Sequence, residues 1–230
     1  MKTRVFSAKF GLLMFALALF AIAMPADLCY SNPEVSGDVG DDVTITTDAG
    51  TMYINSASDK TIINYNSFNI AENESVIITL PNANSEILNR VIGNDPSNIL
   101  GMLSCNGIVF LINRNGVYVG PNANLDVGSI VISTRDITDS NFLSSNYVFE
   151  KLSEDQLNSL ILNQGAINIR DWGFGVMIAG GVENQGTIVA RLGTIAMASG
   201  DLVTLTFSED GLISLAIDEK VAETVLDMNG

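Results

Sequence analysis

The strongest constraint on the fold is a five-residue pattern that occurs twice, 21 residues apart. Asn163-Gln164-Gly165-Ala166-Ile167 recurs as Asn184-Gln185-Gly186-Thr187-Ile188. A period in the low twenties, built from strands and turns, is typical of a solenoid whose coils stack roughly 4.8 Å apart. We therefore predict a parallel β-helix in which Asn163 lies against Asn184, with their amides hydrogen-bonded along the axis.

The segment from Leu103 to Thr134 contains apolar, β-branched runs separated by turn residues. These runs are residues 108–112, 117–119 and 130–132. Taken alone, Asn115-Gly116 between two such runs indicates a hairpin turn. However, the runs are apolar at nearly every position, which suits buried parallel strands better than a hairpin with one solvated face. We interpret the runs as successive sides of one winding coil.

Other segments add strands and a feature outside the coil. Five earlier runs are also predicted as strands: residues 43–46, 51–54, 61–65, 68–70 and 76–80. Phe142, Tyr147 and Phe149 within residues 141–150 predict a hairpin outside the main coil. A capping-box pattern predicts a short helix at residues 153–157. Residues 211–217 alternate apolar and polar side chains, which indicates either a cap or merely the point at which the sequence was cut.

A second alignment concerns two aromatic residues. Gly175-Val176-Met177-Ile178-Ala179 matches Gly193-Thr194-Ile195-Ala196-Met197 at a spacing of 18 residues, which makes the earlier coil three residues longer. The surplus falls at Trp172-Gly173-Phe174. Two interpretations stay open: the rings fold back onto a neighbouring coil, or they form an exposed contact patch. Arg170 and Arg191, 21 residues apart, are predicted to point outward at a solvated corner.

The N-terminus has the pattern of a signal peptide. Lys2, Arg4 and Lys9 precede an apolar stretch, residues 11–23, which ends in the small-x-small sequence Ala21-Ile22-Ala23. The apolar stretch is shorter than the roughly 20 residues that a membrane-spanning helix needs. We predict a signal helix, residues 1–23, that is cleaved from a single domain, residues 24–230.

Charge and cysteine content limit the class of protein. The chain has 11 basic and 26 acidic residues and a net charge of −15, which becomes −18 without the three cations of the signal peptide. Nucleic acid is not an expected partner, because phosphate binding needs clustered Lys and Arg. Two cysteines are too few for a disulfide-rich scaffold. Either Cys29 and Cys105 are bridged, or Cys105 packs as a small apolar residue and Cys29 lies in a loose tail.

The residue types needed for most catalysis are missing from the sequence. Without histidine, neither a Ser-His-Asp nor a Cys-His arrangement is possible. The sequence has no Cys/His metal pattern and no glycine-rich phosphate loop. Acidic pairs such as Asp41-Asp42 and Glu154-Asp155 do not recur at the coil period. We predict no enzyme activity, cofactor or metal; the alternatives are a carbohydrate-active β-helix enzyme and a purely structural surface protein.

A set of short motifs resembles a known family. In chain order they are Phe68-Asn69-Ile70, Asn89-Arg90-Val91, Gly101, Asn106-Gly107-Ile108-Val109-Phe110-Leu111-Ile112-Asn113, Asn115-Gly116-Val117-Tyr118-Val119-Gly120, Ala123, Val127-Gly128 and Ser133-Thr134. Together they resemble the N-terminal secretion domain of filamentous haemagglutinin-like exoproteins, the haemagglutination activity domain of two-partner secretion.

The resemblance implies a fold and a role. The fold is all-β, a right-handed parallel β-helix. The role is recognition in the periplasm by an outer-membrane barrel transporter with periplasmic repeats, followed by export to the cell surface or medium. There the domain is expected to seed folding of an adhesin, as a monomer that binds a ligand on a host or neighbouring cell.

The resemblance also implies candidate recognition residues. The family's Asn-Pro-Asn-Gly turn corresponds to Asn113, Arg114, Asn115 and Gly116, where arginine replaces a proline that only pre-sets a backbone angle. The full predicted partner-recognition set is Asn113, Arg114, Asn115, Gly116, Asn89, Arg90, Trp172 and Phe174.

Overall fold

The computed structural model describes residues 32–37, 39–152, 159–207 and 213–217. The predicted signal peptide, Cys29 and the predicted helix at 153–157 lie outside these residues. In the described ranges, no helix is both long and apolar enough to cross a membrane. The elements are β1 (Glu34–Val35), β2 (Val43–Asp48), β3 (Thr51–Ser56), β4 (Lys60–Ser67), β5 (Ser75–Thr79), β6 (Glu86–Val91), β7 (Ser97–Ile99), β8 (Met102–Asn113), β9 (Val117–Val119), β10 (Asn124–Ser133), α1 (Asp139–Leu143), β11 (Tyr147–Glu150), β12 (Leu160–Asn163), β13 (Ala166–Ile169), β14 (Phe174–Ala179), β15 (Gly181–Asn184), β16 (Thr187–Ala190), β17 (Thr194–Ser199), β18 (Leu202–Phe207) and β19 (Ile213–Ile217).

Three parallel faces wind around a common interior. Face A contains β3, β5, residues 102–105 of β8, residues 124–127 of β10, β13 and β16. Face B contains β4, β6, residues 108–113 of β8, residues 129–133 of β10, β14 and β17. Face C contains β7, β9, β12 and β15. The fold is therefore a β-solenoid of about six turns, which confirms the predicted stacked coil.

The repeated Asn-Gln-Gly pattern stacks as predicted. Asn163 pairs with Asn184 in the parallel ladder between β12 and β15. The Asn163 Nδ2 donates to the Asn184 Oδ1 at 2.7 Å, and the Gln164 Nε2 donates to the Gln185 Oε1 at 2.7 Å. Asn163 is fully buried, so its amide lies where an unpaired polar group is costly, whereas the bond between the two glutamines is exposed. Residues 21 apart in the sequence are thus direct neighbours on adjacent rungs of the coil.

Aliphatic side chains fill the coil interior in vertical columns. One column on face A is Val76, Leu103, Leu125, Ile167 and Ile188. The first four of these side chains are fully buried, because each has a rung above and a rung below it. No single coil buries its inner face alone, so the core becomes continuous through stacking.

Glycines stack at two corners of the coil. A β-carbon on Gly173 would lie 2.1 Å from the Gly128 carbonyl oxygen, and one on Gly193 would lie 2.0 Å from the Gly173 carbonyl oxygen. At the corner before face A, a β-carbon on Gly165 would lie 2.5 Å from the Gly120 oxygen. Because the rungs touch through backbone here, no larger residue fits without displacing a rung.

The stacking of these glycines corrects the predicted 18-residue register. Gly193 lies on Gly173, and β14 pairs with β17 so that Gly175 faces Ile195 rather than Gly193. The spacing on this face is therefore 20 residues, and the corner at residues 170–173 is one residue longer than its successor, not three. The 18-residue alignment paired residues of similar type, whereas the observed register is set by backbone contact between Gly173 and Gly193.

Two other strand predictions have clear outcomes. Residues 117–119 form β9, which pairs with β7 and β12 in parallel, so the interpretation of Asn115-Gly116 as a coil corner is confirmed over the hairpin. The predicted strand at residues 68–70 is wrong, since Ile70 makes an isolated bridge to Ile99.

An outer layer covers face B. It consists of α1, β11, β18 and β19, and its strands pair antiparallel in the order β11-β18-β19. The predicted hairpin at residues 141–150 is instead a helix followed by one strand, whose partner β18 comes from much later in the chain. Residues 213–217 close the layer as β19. Thr138 caps α1 by accepting a hydrogen bond from the Asn141 backbone nitrogen at 3.2 Å.

A second core lies between this layer and face B. Phe110, which points out of the coil, is fully buried under rings of the layer. Its ring centroid lies 5.3 Å from Phe142, 5.5 Å from Tyr147 and 6.5 Å from Phe149. The protein thus has two cores that share the strands of face B.

The two ends of the solenoid differ. At the N-terminal end, β1 and β2 pair antiparallel with β4 and β3 and cover their outer edges. At the other end, β15 and β16 each pair on one side only among the described strands. The inward-facing Met197 of the last rung is 43% exposed, whereas Met177, its ladder partner one rung earlier, is 3% exposed.

Cys105 packs in the interior as a small apolar residue and is a free thiol. The Gly107 backbone nitrogen donates to its Sγ at 3.3 Å. Burial raises the pKa of the Cys105 thiol to about 11. We expect the folded protein to resist alkylation at Cys105 at pH 8, because the thiolate is the nucleophile. Mass spectrometry after iodoacetamide treatment checks this: the thiol should react fully in urea, and equally fast labelling of the native chain would contradict its burial.

Candidate partner-recognition site

A rigid turn at residues 113–116 joins face B to face C. The Gly116 backbone nitrogen donates to the Asn113 carbonyl oxygen at 3.1 Å, which closes a β-turn. The Asn115 backbone nitrogen donates to the Asn113 Oδ1 at 2.9 Å. Gly116 has a φ of 117°, a conformation that strongly favours glycine. The replacement of proline by Arg114 therefore leaves the turn intact.

The turn is tied to the rung beneath it. The buried Asn113 Nδ2 donates to the Asp95 carbonyl oxygen and to the Ser97 Oγ, both at 3.0 Å. The Asn115 Nδ2 donates to the Gly93 oxygen at 2.9 Å. Asn113 thus acts inside the fold, while Arg114 and Asn115 are half-buried at the surface of the turn.

Asn89 lies inside the coil. It is fully buried, accepts a hydrogen bond from the Tyr65 hydroxyl at 3.0 Å and donates to the Phe110 carbonyl oxygen at 3.3 Å. Burial also raises the pKa of the Tyr65 hydroxyl well above its ordinary value. The Asn89 side chain is not exposed at the surface of the folded domain, so its hydrogen bonds inside the coil have a structural role.

Arg90 anchors the start of the outer layer. Its Nε lies 2.9 Å from the Asp136 Oδ1 and its Nη1 lies 2.6 Å from the Asp139 Oδ1. Burial favours the neutral guanidine, but the attraction of these two carboxylates outweighs it and raises the pKa of Arg90 above its ordinary value. Arg90 and Arg114 line the same small cavity, so the structure brings these two predicted residues together.

Trp172 and Phe174 lie at the opposite end of face B, where face A turns into it. Trp172 is 74% exposed and has a left-handed φ of 66°. Phe174 is half-buried, with its ring centroid 4.6 Å from that of Phe207 in the outer layer. Trp172 is therefore exposed, as the contact-patch interpretation predicts, whereas Phe174 packs against the outer layer rather than onto a neighbouring coil. The structure does not bring this pair together with the turn.

A groove runs beside Trp172, between the corner and the outer layer. It has a volume of about 780 Å³. We call it the aromatic groove, because Phe110, Tyr147, Trp172, Phe174 and Phe207 line it. Volumes of this size, with mostly apolar walls and a few polar groups, are typical of ligand pockets.

Comparison with known proteins identifies the family. The model of the TPS secretion domain, the domain of two-partner secretion exoproteins, matches residues 32–229. The chain belongs to this family. Exoproteins with a TPS domain are secreted across the outer membrane, the domain implies recognition by an outer-membrane transporter, and it is typically non-enzymatic.

Individual relatives agree with this assignment. A heme/hemopexin-binding protein of Haemophilus influenzae (strain ATCC 51907 / DSM 11121 / KW20 / Rd) is 31% identical over 204 residues, which cover 86% of this chain and 22% of the relative. A second heme/hemopexin-binding protein of Haemophilus influenzae is 36% identical over 110 residues, which cover 48% of this chain and 12% of that relative. This TPS domain thus spans less than a quarter of either relative.

The fold is also similar to a solved structure. The crystal structure of the HMW1 secretion domain from Haemophilus influenzae superimposes with a TM-score of 0.74 at 34% identity. The match covers 81% of this chain and 50% of that one. The resemblance drawn from the motifs to a two-partner secretion domain is confirmed.

Sequence reasoning missed a charged cluster that fastens the outer layer of the TPS domain to face B. The Lys60 Nζ lies 3.0 Å from the Glu86 Oε2 and donates to the Phe142 carbonyl oxygen at 2.7 Å. The Tyr147 hydroxyl donates to the Glu86 Oε1 at 2.6 Å. Burial, and next the bond to Glu86, raise the pKa of Tyr147 well above its ordinary value. The residues of this charged cluster are far apart in the sequence, so no local sequence pattern identifies them.

Proposed function

We propose that this TPS domain is recognised in the periplasm by the repeats of an outer-membrane barrel transporter and, once exported, nucleates folding of a solenoid at the cell surface. Membership of the family supports the recognition step. The mature protein would then act outside the cell as a monomer, with adhesion to a surface ligand as its further role.

The observation that carries the nucleation step is the difference between the two ends. The N-terminal edge is covered by antiparallel β1 and β2, whereas inward-facing Ile195 and Met197 of the last rung are 42% and 43% exposed. A further rung stacked there would bury both side chains and pair the edges of β15 and β16 that have no partner among the described strands. Growth of a solenoid on this domain can therefore proceed in one direction.

Binding to the transporter tests the recognition step. The mature chain should bind the purified periplasmic repeats of the transporter with micromolar or tighter affinity in calorimetry or pull-down. A complete lack of binding at micromolar concentrations would count against recognition and favour a purely structural surface protein.

The turn at residues 113–116 gives a more specific prediction. Asn115→Ala removes the bond to the Gly93 oxygen, and Gly116→Val forces a β-branched residue into a φ of 117°. We expect both to reduce secretion severalfold. Because both also disturb the turn, Arg114→Ala is the matched variant; it should keep the fold and weaken binding to the repeats by about tenfold, roughly 1.4 kcal/mol. Secretion unchanged in all three variants would remove the turn from the recognition site.

A further inference from the structure

Beside the aromatic groove, two successive rungs present the same corner to solvent. Trp172 on one rung and Leu192 on the next are 74% and 68% exposed. Both hold left-handed backbone, with φ of 66° and 55°, a conformation that is strained for a non-glycine residue. The Trp172 backbone nitrogen donates to the Arg191 oxygen at 3.1 Å, which fixes one rung on the other. Packing does not explain two large apolar side chains at these positions.

Arginines flank this corner. Arg191, which is exposed, immediately precedes Leu192, and the exposed Arg170 precedes Trp172 by two residues, with Asp171 between them. Lys60, Arg90, Arg135 and Lys151 each lie within ion-pair distance of a carboxylate. Across the described residues, no carboxylate lies within that distance of Arg170 or Arg191. A chain with net charge −15 thus places two cations, neither of them ion-paired within the described ranges, beside two exposed apolar residues. The Arg170 Nη1 donates to the Asn106 carbonyl oxygen at 3.1 Å. We call Arg170, Trp172, Arg191 and Leu192 the corner ridge.

The groove next to the corner ridge has one wall of aromatic and aliphatic side chains, and polar side chains such as Asn84, Ser129, Asn146, Thr204 and Thr206 complete its lining. The ring of Phe207 lies 4.6 Å from Phe174 and 5.0 Å from Tyr147, centroid to centroid, and Ile108 continues the wall. Glu86 in the wall is engaged by Lys60 and Tyr147. Asp171 is the one other carboxylate that lines the groove. The aromatic wall suits a hydrocarbon or aromatic side chain, and the two arginines beside it suit a carboxylate.

We infer that the aromatic groove and the corner ridge bind an extended peptide segment that carries an aromatic or aliphatic side chain beside a carboxylate. The side chain enters the groove against Phe174 and Phe207, and the carboxylate meets Arg170 or Arg191. A concave site favours such a segment over a flat bilayer. This function goes beyond export, since the site binds the segment whether or not the transporter supplies it.

The sequence provides a reporter at the site, because Trp172 is the only tryptophan in the chain. The probe is an eight-residue synthetic peptide that alternates Asp with Phe and Leu. Titrated into the mature chain with excitation at 295 nm, it should shift the Trp172 emission to shorter wavelength. Replacing Asp by Lys, or Phe and Leu by Ser, should weaken binding by about tenfold or more in either case.

Variants separate binding from folding. Arg170→Gln with Arg191→Gln should weaken binding of the Asp peptide by about tenfold with an unchanged melting temperature. Trp172→Gly relieves the left-handed strain, so it should keep or raise thermal stability while calorimetry shows loss of binding. Tyr53→Thr, at a half-exposed ring on face A, is the control and should bind normally.

Three results would overturn the inference: no emission shift with the Asp peptide at millimolar concentration, equal binding of the Lys peptide, or equal binding by the double arginine variant. An emission shift produced by anionic vesicles or polygalacturonate but not by the peptide would also overturn it. The transporter experiment stays separate. If the natural chain binds the repeats but does not bind the Asp peptide, the groove function fails while recognition stands.

Discussion

Gly165→Ala is expected to lower the free energy of unfolding of the solenoid strongly. A β-carbon at this position would lie 2.5 Å from the Gly120 oxygen and 2.8 Å from the Ala123 oxygen, both backbone atoms of the rung below. Neither atom can move without displacing a strand of the coil. Overpacking of this kind typically costs 1–3 kcal/mol and more where backbone must shift, so we expect a loss of about 3 kcal/mol or more. Urea denaturation followed by circular dichroism measures it.

Gly181→Ala is the matched control. Its β-carbon would meet the Cδ2 of Leu160 at 2.5 Å, and Leu160 is a flexible side chain that is 58% exposed. We expect a change below about 0.5 kcal/mol, as is usual for surface substitutions. Equal stability of the two variants would show that the rungs do not touch through backbone at the Gly165 corner.

The coil itself was predictable because every rung repeats the same contacts. Asn163 and Asn184 must bond to each other, and Gly165 and Gly186 must both be small, so the stacking leaves a pattern in the sequence. The same rule explains why the 18-residue alignment was wrong. Similar residues around Gly175 and Gly193 do not share a column, since it is Gly173 that lies under Gly193.

The outer layer was not predictable from local patterns. Phe142, Tyr147 and Phe149 were recognised as a feature outside the coil, but their partner strand β18 begins more than 50 residues later. The antiparallel pairing of β1 and β2 with the first rung was missed for a similar reason, because strand-like runs do not reveal the direction of pairing.

The candidate site was predicted in part. Arg114 and Asn115 lie at the surface of a turn whose Asn and Gly residues are specified by its geometry, so the motif located it. Asn89, from the same set of motifs, is buried and bonded to Tyr65, because a motif does not say which face of a strand a residue occupies. For the corner ridge, the 21-residue spacing placed Arg170 and Arg191 at one corner, but the left-handed and exposed Leu192 was found only in the structure.

Phe110→Ala should release the outer layer and leave the coil folded. Its ring contacts three rings of the layer and is fully buried on the outside of face B. Truncation of a buried phenylalanine costs about 3–5 kcal/mol. The loss falls on the second core, because the interior columns of the coil do not include this side chain. Hydrogen exchange should therefore accelerate in β11 and β18, while β13 keeps its protection.

Phe68→Ala tests the same idea from the other core. Phe68 is buried inside the coil, where its ring meets Tyr65 edge to face at 5.0 Å. We expect a loss of similar size, with faster exchange in β4 and β6 and little change in β18.

If Phe110→Ala instead lowered protection uniformly, the layer and the coil would form one cooperative unit. Since Phe174 and Phe207 of the aromatic groove come one from each, groove binding would then report on the whole fold rather than on the docking of the layer.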